Sequence, residues 1–442
     1  MKTLAIASLL WPPNQRVLVA FAQRHPGSTI LSPEGLISPS VSAEIERAGG
    51  RVLALESLLN DAARAAVDQS VADRARAWGA ALQQPTWAQH WRDFPVPSDL
   101  LSTLFSQVAH AQLPTLLRLV AAMDLAQQRY DLRLIVLNED MTPPPRALVA
   151  WGRTHGVPSV QLSHGVELFQ PYTVHADLQA DVTAVFGERG MEGYRDIGLD
   201  ISSLRITGNP AWDHYAQLQP RRAELRAAIA AEHGLSPHLP IVVFGTTWSA
   251  NLTAHSDEGI HGHTLRAFLL AAQKLVRSGL TAQFVVKDRP GAPAAAHQQI
   301  PRLFADHGVP PACARYVAGE ATPWVVGADV MVSMQSNLSI EAMMVGTPAV
   351  DLLTEVGMWL GPCFAADSGV IETEPAMLAD TLAALLTSDV LRERQRQRLA
   401  RAAHRYNVGV DGRATDRFLN LLDELLSLTS RAARSVSATA SR

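Results

Sequence analysis

The sequence predicts an α/β protein of two doubly wound, Rossmann-type domains facing across a cleft. Three observations lead there. Short apolar runs of strand length alternate with longer runs of helical spacing in both halves of the chain, which implies right-handed βαβ crossovers and parallel sheets. The alternation breaks around Gly208–Pro240 and then restarts. Finally, Ala328–Leu353 (ADVMVSMQSNLSIEAMMVGTPAVDLL) lays out a buried strand, a polar turn, a helix stopped by Gly346 and Pro348, and a returning strand.

Taken in order, the first half offers strands at Leu4–Leu10, Ser28–Leu31, Arg51–Leu55, Leu132–Leu137, Ser159–Leu162, Val182–Phe186 and Arg205–Thr207. The opening run could pass for a secretory leader, but it is short and carries one lysine. Pro12-Pro13-Asn14 follows it without a small-residue cleavage site, so a first buried strand is the better reading. Between Leu59 and Tyr130 the chain is Ala- and Leu-rich with helical periodicity, broken at Pro95-Val96-Pro97 and Pro114. That is more helix than one crossover needs, and it reads as a helical insertion in which Trp78, Trp87 and Trp91 pack. Gly208-Asn209-Pro210 marks a turn, Arg221–His233 a connecting helix, and Ser236–Pro240 a second break. The second half supplies strand Ile241–Gly245, helix Thr264–Ser278, strand Ala282–Lys287, and strands near Ala314–Val317, Val330–Met334 and Ala349–Leu353. The expected domains are therefore 1–210, with the insertion at about 59–130, and 211–428, followed by a Ser-, Ala- and Arg-rich flexible tail over 429–442.

Composition narrows the function classes. With 47% apolar and 18% charged residues the 442-residue chain is globular, and its net charge of −4 gives no signal for nucleic acid. Two cysteines, Cys313 and Cys363, make no disulfide framework and suit a reducing cytoplasm. No run of about 18 apolar residues suggests a membrane-spanning helix.

Chemistry-bearing residues gather at the predicted strand ends. A strand running into a helix N-terminus aims free N–H groups and the positive dipole end at the strand's carboxyl edge, where doubly wound sheets bind phosphorylated ligands. Gln335-Ser336-Asn337 is such a turn, although an ordinary βαβ unit with a Ser/Asn N-cap reads the same way. Glu139-Asp140, Ser163-His164-Gly165, Thr246-Thr247-Trp248 and Lys287-Asp288-Arg289-Pro290 fall at the ends of four other strands.

On these residues the chain resembles bacterial surface-polysaccharide enzymes of the GT-B fold. Gln161-Leu162-Ser163-His164-Gly165 looks like their Q-x-x-H-G segment. Gly245-Thr246-Thr247-Trp248 resembles the P-T-W loop of relatives that transfer glycerol phosphate or ribitol phosphate. Ser336 through Pro348 is similar to the S-x-x-x-x-E-A-x-x-x-G-x-P pattern shared by nucleotide-sugar glycosyltransferases and UDP-GlcNAc 2-epimerases. Gly208-Asn209-Pro210 and Asp411-Gly412-Arg413-Ala414, with Arg417, resemble further landmarks. The matches run in order from Leu132 to Leu422. One departure is informative: Val286-Lys287-Asp288-Arg289-Pro290 has arginine where many relatives read K-x-H-P. Arginine clamps phosphate with a planar fork of donors but, with a pKa above about 12, gives up no proton near neutrality. That weakens the polyol-phosphate reading, which uses two histidines.

The resemblance implies a metal-independent glycosyltransferase that needs no cofactor and takes a nucleotide-sugar as substrate. The donor would lie against Thr246, Thr247, Lys287, Arg289, Ser333, Ser336, Asn337 and Glu341, on the second domain. A glycan or lipid-linked acceptor would enter from the first, near His164, the candidate base, with Glu139 and Asp140 as the other candidates. A His base attacking in line implies inversion. Each of these residues also has a plain structural reading: a loop histidine, a capping carboxylate pair, a basic loop, a helix carboxylate. Rival functions are a CDP-activated polyol-phosphate transferase, a UDP-N-acetylhexosamine 2-epimerase and a non-catalytic nucleotide- or glycan-binding scaffold. Asp177, Asp181, His255, His261 and His263 are scattered or lie in a loop and do not stand out as a metal site, while Asp257-Glu258 beside those histidines leaves a metal loop as the alternative. Arg394, Arg398, Arg401 and Arg405 recur at helical spacing. They are either a solvated face or a peripheral contact to anionic lipid at the inner membrane face.

Overall fold

Strand-forming runs and helix-forming runs settle into two separate parallel sheets in the computed structural model, which describes residues 2–82, 103–104, 106–163, 165, 176–246, 260–290, 296–353 and 363–440. The first sheet has strands β1 (Leu4–Leu9), β2 (Thr29–Ser32), β3 (Arg51–Ala54), β4 (Asp131–Leu137), β5 (Ser159–Leu162), β6 (Val182–Val185) and β7 (Leu204–Ile206), in the order 3-2-1-4-5-6-7. The second has β8 (Ile241–Gly245), β9 (Gln283–Asp288), β10 (Ala314–Ala318), β11 (Val330–Ser333), β12 (Ala349–Leu352) and β13 (Ile371–Thr373), in the order 10-9-8-11-12-13. Each sheet therefore opens with the same third-second-first-fourth reversal, the doubly wound pattern whose switch point lies at the carboxyl ends of the central strands. β13 has no counterpart in the sequence analysis.

Fourteen α-helices are described, and they explain where the apolar residues go. The first sheet carries α1 (Arg16–Arg24), α2 (Pro39–Arg47), α3 (Asp61–Leu82), α4 (Leu113–Arg129), α5 (Pro143–His155) and α6 (Glu188–Asp196). The linker and second sheet carry α7 (Arg222–His233), α8 (Ile260–Arg277), α9 (Ala296–Asp306), α10 (Thr322–Gly327), α11 (Asn337–Val345), α12 (Leu378–Thr387) and α13 (Asp389–Tyr406), and α14 (Ala414–Ala440) returns to the first sheet. Alternate strand residues serve opposite faces. Ile6, Leu134 and Val136 pack with Leu18 and Phe21 of α1, whereas Ala5, Ala7 and Ile135 pack with Met123 of α4 and Trp151 of α5. The second sheet divides likewise: Val243 and Met331 face Ile340 and Leu399, while Phe244 and Val332 face Phe268 and Leu382.

Three expectations are corrected. The region read as one insertion contains α4, which is an ordinary crossover helix buried on the sheet. α3 lies at the margin of the core, where Ala63 packs against it and Val67 is buried. Pro114 does not break that region, because a π-type turn over Gln107–Gln112 passes directly into α4. Trp78, read as a packing residue, is 43% exposed, and Trp87 and Trp91 lie outside the described residues. The third correction concerns the C-terminus. α14 keeps a helical backbone to Ala440, through most of the expected tail. Its Phe418, Leu419, Leu422 and Leu425 are buried in the first sheet's core, although their position in sequence assigns them to the second domain.

The crossing between sheets is built from two of the sequence landmarks. Asn209 Oδ1 accepts from the amide of Ala211 to start a 3-10 segment, Pro210–Gln217. The Asn209 amide donates to Asn407 Oδ1 at 3.0 Å. Asp213 accepts the first amides of α14, from Ala414 at 2.7 Å and Thr415 at 2.8 Å. Trp212 and Tyr215 of the same segment are buried in the second sheet's core.

Candidate active site

The carboxyl edge of the second sheet collects most of the expected donor residues, and their hydrogen bonds separate fixed groups from available ones. Thr246, after β8, donates from Oγ1 to Asp288 Oδ1 at 2.7 Å and so ties the ends of β8 and β9. Lys287 is 4% exposed, and its Nζ donates to the carbonyls of Asp288 and Gly319, each at 2.6 Å. Burial lowers its pKa, against the pull of Asp288, Glu320 and Glu341. Arg289 differs. It is exposed, only its backbone amide is engaged, by Asp288 Oδ1 at 2.8 Å, and its guanidinium has no partner among the described residues. Thr247 and Trp248 lie outside the described residues.

After β11 the chain turns sharply into α11. Gln335 takes a left-handed φ of 43°, rare for a residue with a side chain, and its amide is caught by Asp351 Oδ1 at 2.7 Å. Asp351 is 1% exposed at the end of β12, and burial pushes its carboxyl up to about 8. Ser336 is the N-cap, accepting from the Leu338 amide at 3.3 Å. Asn337 opens the helix. Ser333 is buried beneath the turn, 3.1 Å from Ser339 Oγ, so it supports the turn from below. Gly346, at a φ of 67°, ends α11 as the sequence expects.

Glu341 lies one turn into α11 and is partly exposed. Its Oε2 accepts a hydrogen bond from the hydroxyl of Tyr215, a residue that is itself 1% exposed. Burial raises the Glu341 carboxyl to about 7, with Tyr215 and Lys287 opposing the rise and Glu320 adding to it. The sequence marks Glu341 but gives no sign of Tyr215 or Asp351, since both act through contacts between distant segments.

On the first sheet's edge, both members of the carboxylate pair are engaged by the chain. Glu139 is 4% exposed; Oε2 accepts from the amides of Met141 at 2.6 Å and Thr142 at 2.8 Å, and Oε1 from the Thr142 hydroxyl. Asp140 is 1% exposed and accepts from the amides of Gln179 at 2.5 Å and Ala180 at 2.8 Å. The Gln161 amide nitrogen, 2.9 Å from both Asp140 oxygens, completes this cluster. Burial raises the Asp140 carboxyl despite these donors. Hence Gln161 of the Q-x-x-H-G segment serves to tie β5 to the Asp140 loop. His164 lies outside the described residues, but Gly165 beside it does not. A methyl group at Gly165 would sit 3.6 Å from Nδ2 and 3.7 Å from Oδ1 of Asn337. The loop after β5 of the first sheet thus meets the start of α11 on the second, and the two carboxyl edges face each other.

The arginine stripe is not uniform. Arg405 pairs with Glu192 of α6 at 2.5 Å and with Asp367 at 3.0 Å, joining the two halves of the molecule. Arg398 donates to the Ala366 carbonyl at 2.6 Å, and Arg401 to the Gln397 carbonyl at 3.2 Å. The expected continuous basic face is therefore interrupted by intramolecular contacts, with Arg394 exposed at one end. Among the described residues no group of three or more His, Cys, Asp or Glu could hold a metal ion, and no helix is long and apolar enough to cross a membrane. His255 and Asp257-Glu258 lie outside the described residues.

No family model and no curated protein matches this sequence. Solved structures do. The chain is similar to a glycosyltransferase from Rickettsia africae, with a TM-score of 0.55 and 10% identity over 96% of this chain and 99% of that one. It is similar to UDP-GlcNAc 2-epimerase from Neisseria meningitidis bound to UDP-GlcNAc, with a TM-score of 0.54 and 11% identity over 96% of this chain and 100% of that one. It also resembles a variant of the wall teichoic acid polymerase TagF, with a TM-score of 0.51 and 12% identity over 97% of this chain and 90% of that one. The fold is the GT-B type expected from the motifs.

Proposed function

We propose that this protein transfers a sugar from a nucleotide-activated donor to a hydroxyl of a surface glycan or lipid-linked acceptor. The observation that supports this reading is the approach of Gly165, the neighbour of His164 in sequence, to Asn337 at the start of α11. A diphosphate at the amide end of α11 would be met by the helix dipole, by Asn337 and by the uncommitted guanidinium of Arg289. Lys287, Thr246 and Ser333 would hold the surrounding loops, and Glu341 would take the ribose hydroxyls. In the reaction the acceptor hydroxyl loses its proton to His164 as its oxygen bonds to the anomeric carbon. The bond from that carbon to the phosphate oxygen breaks, and the nucleoside diphosphate leaves with its charge held by Arg289 and the helix end. His164 is preferred to Glu139 and Asp140 as the base because both carboxylates are buried and engaged by the chain.

Titration of UDP, GDP, TDP, CDP and CMP into wild type and Arg289→Ala tests the donor site. Loss of a charge-assisted contact to phosphate predicts about tenfold to a hundredfold weaker binding of the preferred diphosphate in the variant. Preference for UDP, GDP or TDP supports glycosyl transfer, and a CDP preference would move the reading to polyol-phosphate transfer. Binding of none would overturn it. With the donor known, His164→Ala is expected to lower turnover by about 10²–10⁴ with donor affinity unchanged.

A further inference from the structure

Tyr215 is a linker residue whose hydroxyl is committed to the second sheet. The phenol is buried and donates to Glu341 Oε2. The other oxygen, Oε1, has no hydrogen-bond partner among the described residues. A partly exposed glutamate would otherwise sample several rotamers, and fixing one of its oxygens fixes the direction of the second. Lys287, whose charge acts on this carboxylate, does not fix it, since the Lys287 ammonium donates to two backbone carbonyls.

We infer that Tyr215 is a positioning residue that locks the Glu341 carboxylate with Oε1 presented to the vicinal diol of a ribose, so that the linker between the sheets selects ribonucleotides over 2′-deoxyribonucleotides. The inference rests on the donor-site reading above and adds to it a residue and a selectivity. A carboxylate held at one oxygen can accept from both hydroxyls of a vicinal diol in a single geometry, and loss of the 2′-hydroxyl removes one of those bonds. Freed from the phenol, the carboxylate can turn to whichever hydroxyl remains, and the discrimination falls.

The test is calorimetric titration of UDP, GDP and CDP and their 2′-deoxy counterparts into wild type, Tyr215→Phe and Glu341→Gln. Wild type is expected to favour the ribose form of its preferred diphosphate by about tenfold or more, the worth of a hydrogen bond to a charged group. Tyr215→Phe should bring that ratio to within about threefold while the deoxy affinity stays nearly constant, and Glu341→Gln should do the same. A ratio unchanged in Tyr215→Phe, or equal weakening of ribose and deoxy forms, would overturn the inference and leave Tyr215 a packing residue. A wild type that binds a diphosphate without preferring ribose would overturn it while the donor site stands. Binding of none of the six, with TDP also failing to bind, removes both. If Tyr215→Phe does not fold, Glu341→Asp, whose shorter side chain draws the carboxylate away from the phenol, should lower the ratio in the same direction; an unchanged ratio there also overturns the inference.

Discussion

Glu341 has exchanged most of its hydration for one phenolic hydrogen bond, and its titration records the exchange. Its carboxyl sits at about 7, against an ordinary value of 4.5. The folded state therefore holds this proton more tightly than the unfolded chain does. The stability it contributes is fully present below about pH 4.5 and is lost as pH rises through about 7. Tyr215, Lys287 and Glu320 are the groups that act on it, and none of them changes the sign. Glu341→Gln should remove this slope. The difference in stability between wild type and variant, followed by urea midpoints from pH 4.5 to 8, is expected to shift against wild type up to about pH 7 and then level. Asp351 titrates at about 8, but its contribution is common to both proteins and cancels. Parallel curves would show that burial does not perturb Glu341. At this scale the sequence marks residues by their place at strand ends, which is how Lys287, Arg289, Ser336, Asn337 and Glu341 come into view. It does not reveal what each one touches. Lys287 reads as a phosphate contact until its two carbonyl partners are seen, and Tyr215 acquires meaning only from a residue 126 positions away.

Elements meet most closely where two landmarks interlock. Gly208 has a φ of 81°, and a methyl group there would lie 2.7 Å from the Gly409 amide and 2.9 Å from the Ala414 methyl. Gly279 has the same φ of 81° with nothing within 4 Å of the methyl position. The pair separates backbone strain from contact between segments. Gly279→Ala should cost about 1–2 kcal/mol, the left-handed penalty alone, and Gly208→Ala at least about 2 kcal/mol more, by overpacking. Equal losses in urea unfolding would mean that the interlock yields freely. The strand and helix pattern is legible in the sequence because burial on both faces of a parallel sheet leaves uninterrupted apolar runs, as in Ile241–Gly245, whose ends coincide with the observed strand. What escapes is pairing between segments. Gly208-Asn209-Pro210 reads as a turn and Asp411-Gly412-Arg413-Ala414 as a separate landmark, and only the bonds from Asn209 to Asn407 and from Ala414 and Thr415 to Asp213 make them one crossing.

The crossing determines how the whole molecule is divided. The chain leaves the first sheet through Gly208–Gln217, builds the second, and returns through Asn407–Ala414 so that α14 covers the first sheet. A boundary drawn by position in sequence cannot register such a return, because an amphipathic helix at the end of a chain carries no label for the sheet it will cover. Leu422 is fully buried against first-sheet residues, whereas Leu399 is fully buried in the second sheet's core. Truncating either to alanine should cost about 2–5 kcal/mol, but in different places. Leu422→Ala is expected to lower hydrogen-exchange protection in β1, β4 and β5, some 260 to 420 residues earlier in the chain, and Leu399→Ala to lower it in β8 and β11. Protection lost only in the second sheet on Leu422→Ala would contradict the packing of α14. The expected result has a functional corollary. With its last helix seated on the first sheet and Asp213 of the linker capping that helix, any rotation of one sheet against the other must bend the chain at both crossings. The two facing edges, and the Tyr215–Glu341 contact between the linker and α11, are thereby held in a common register.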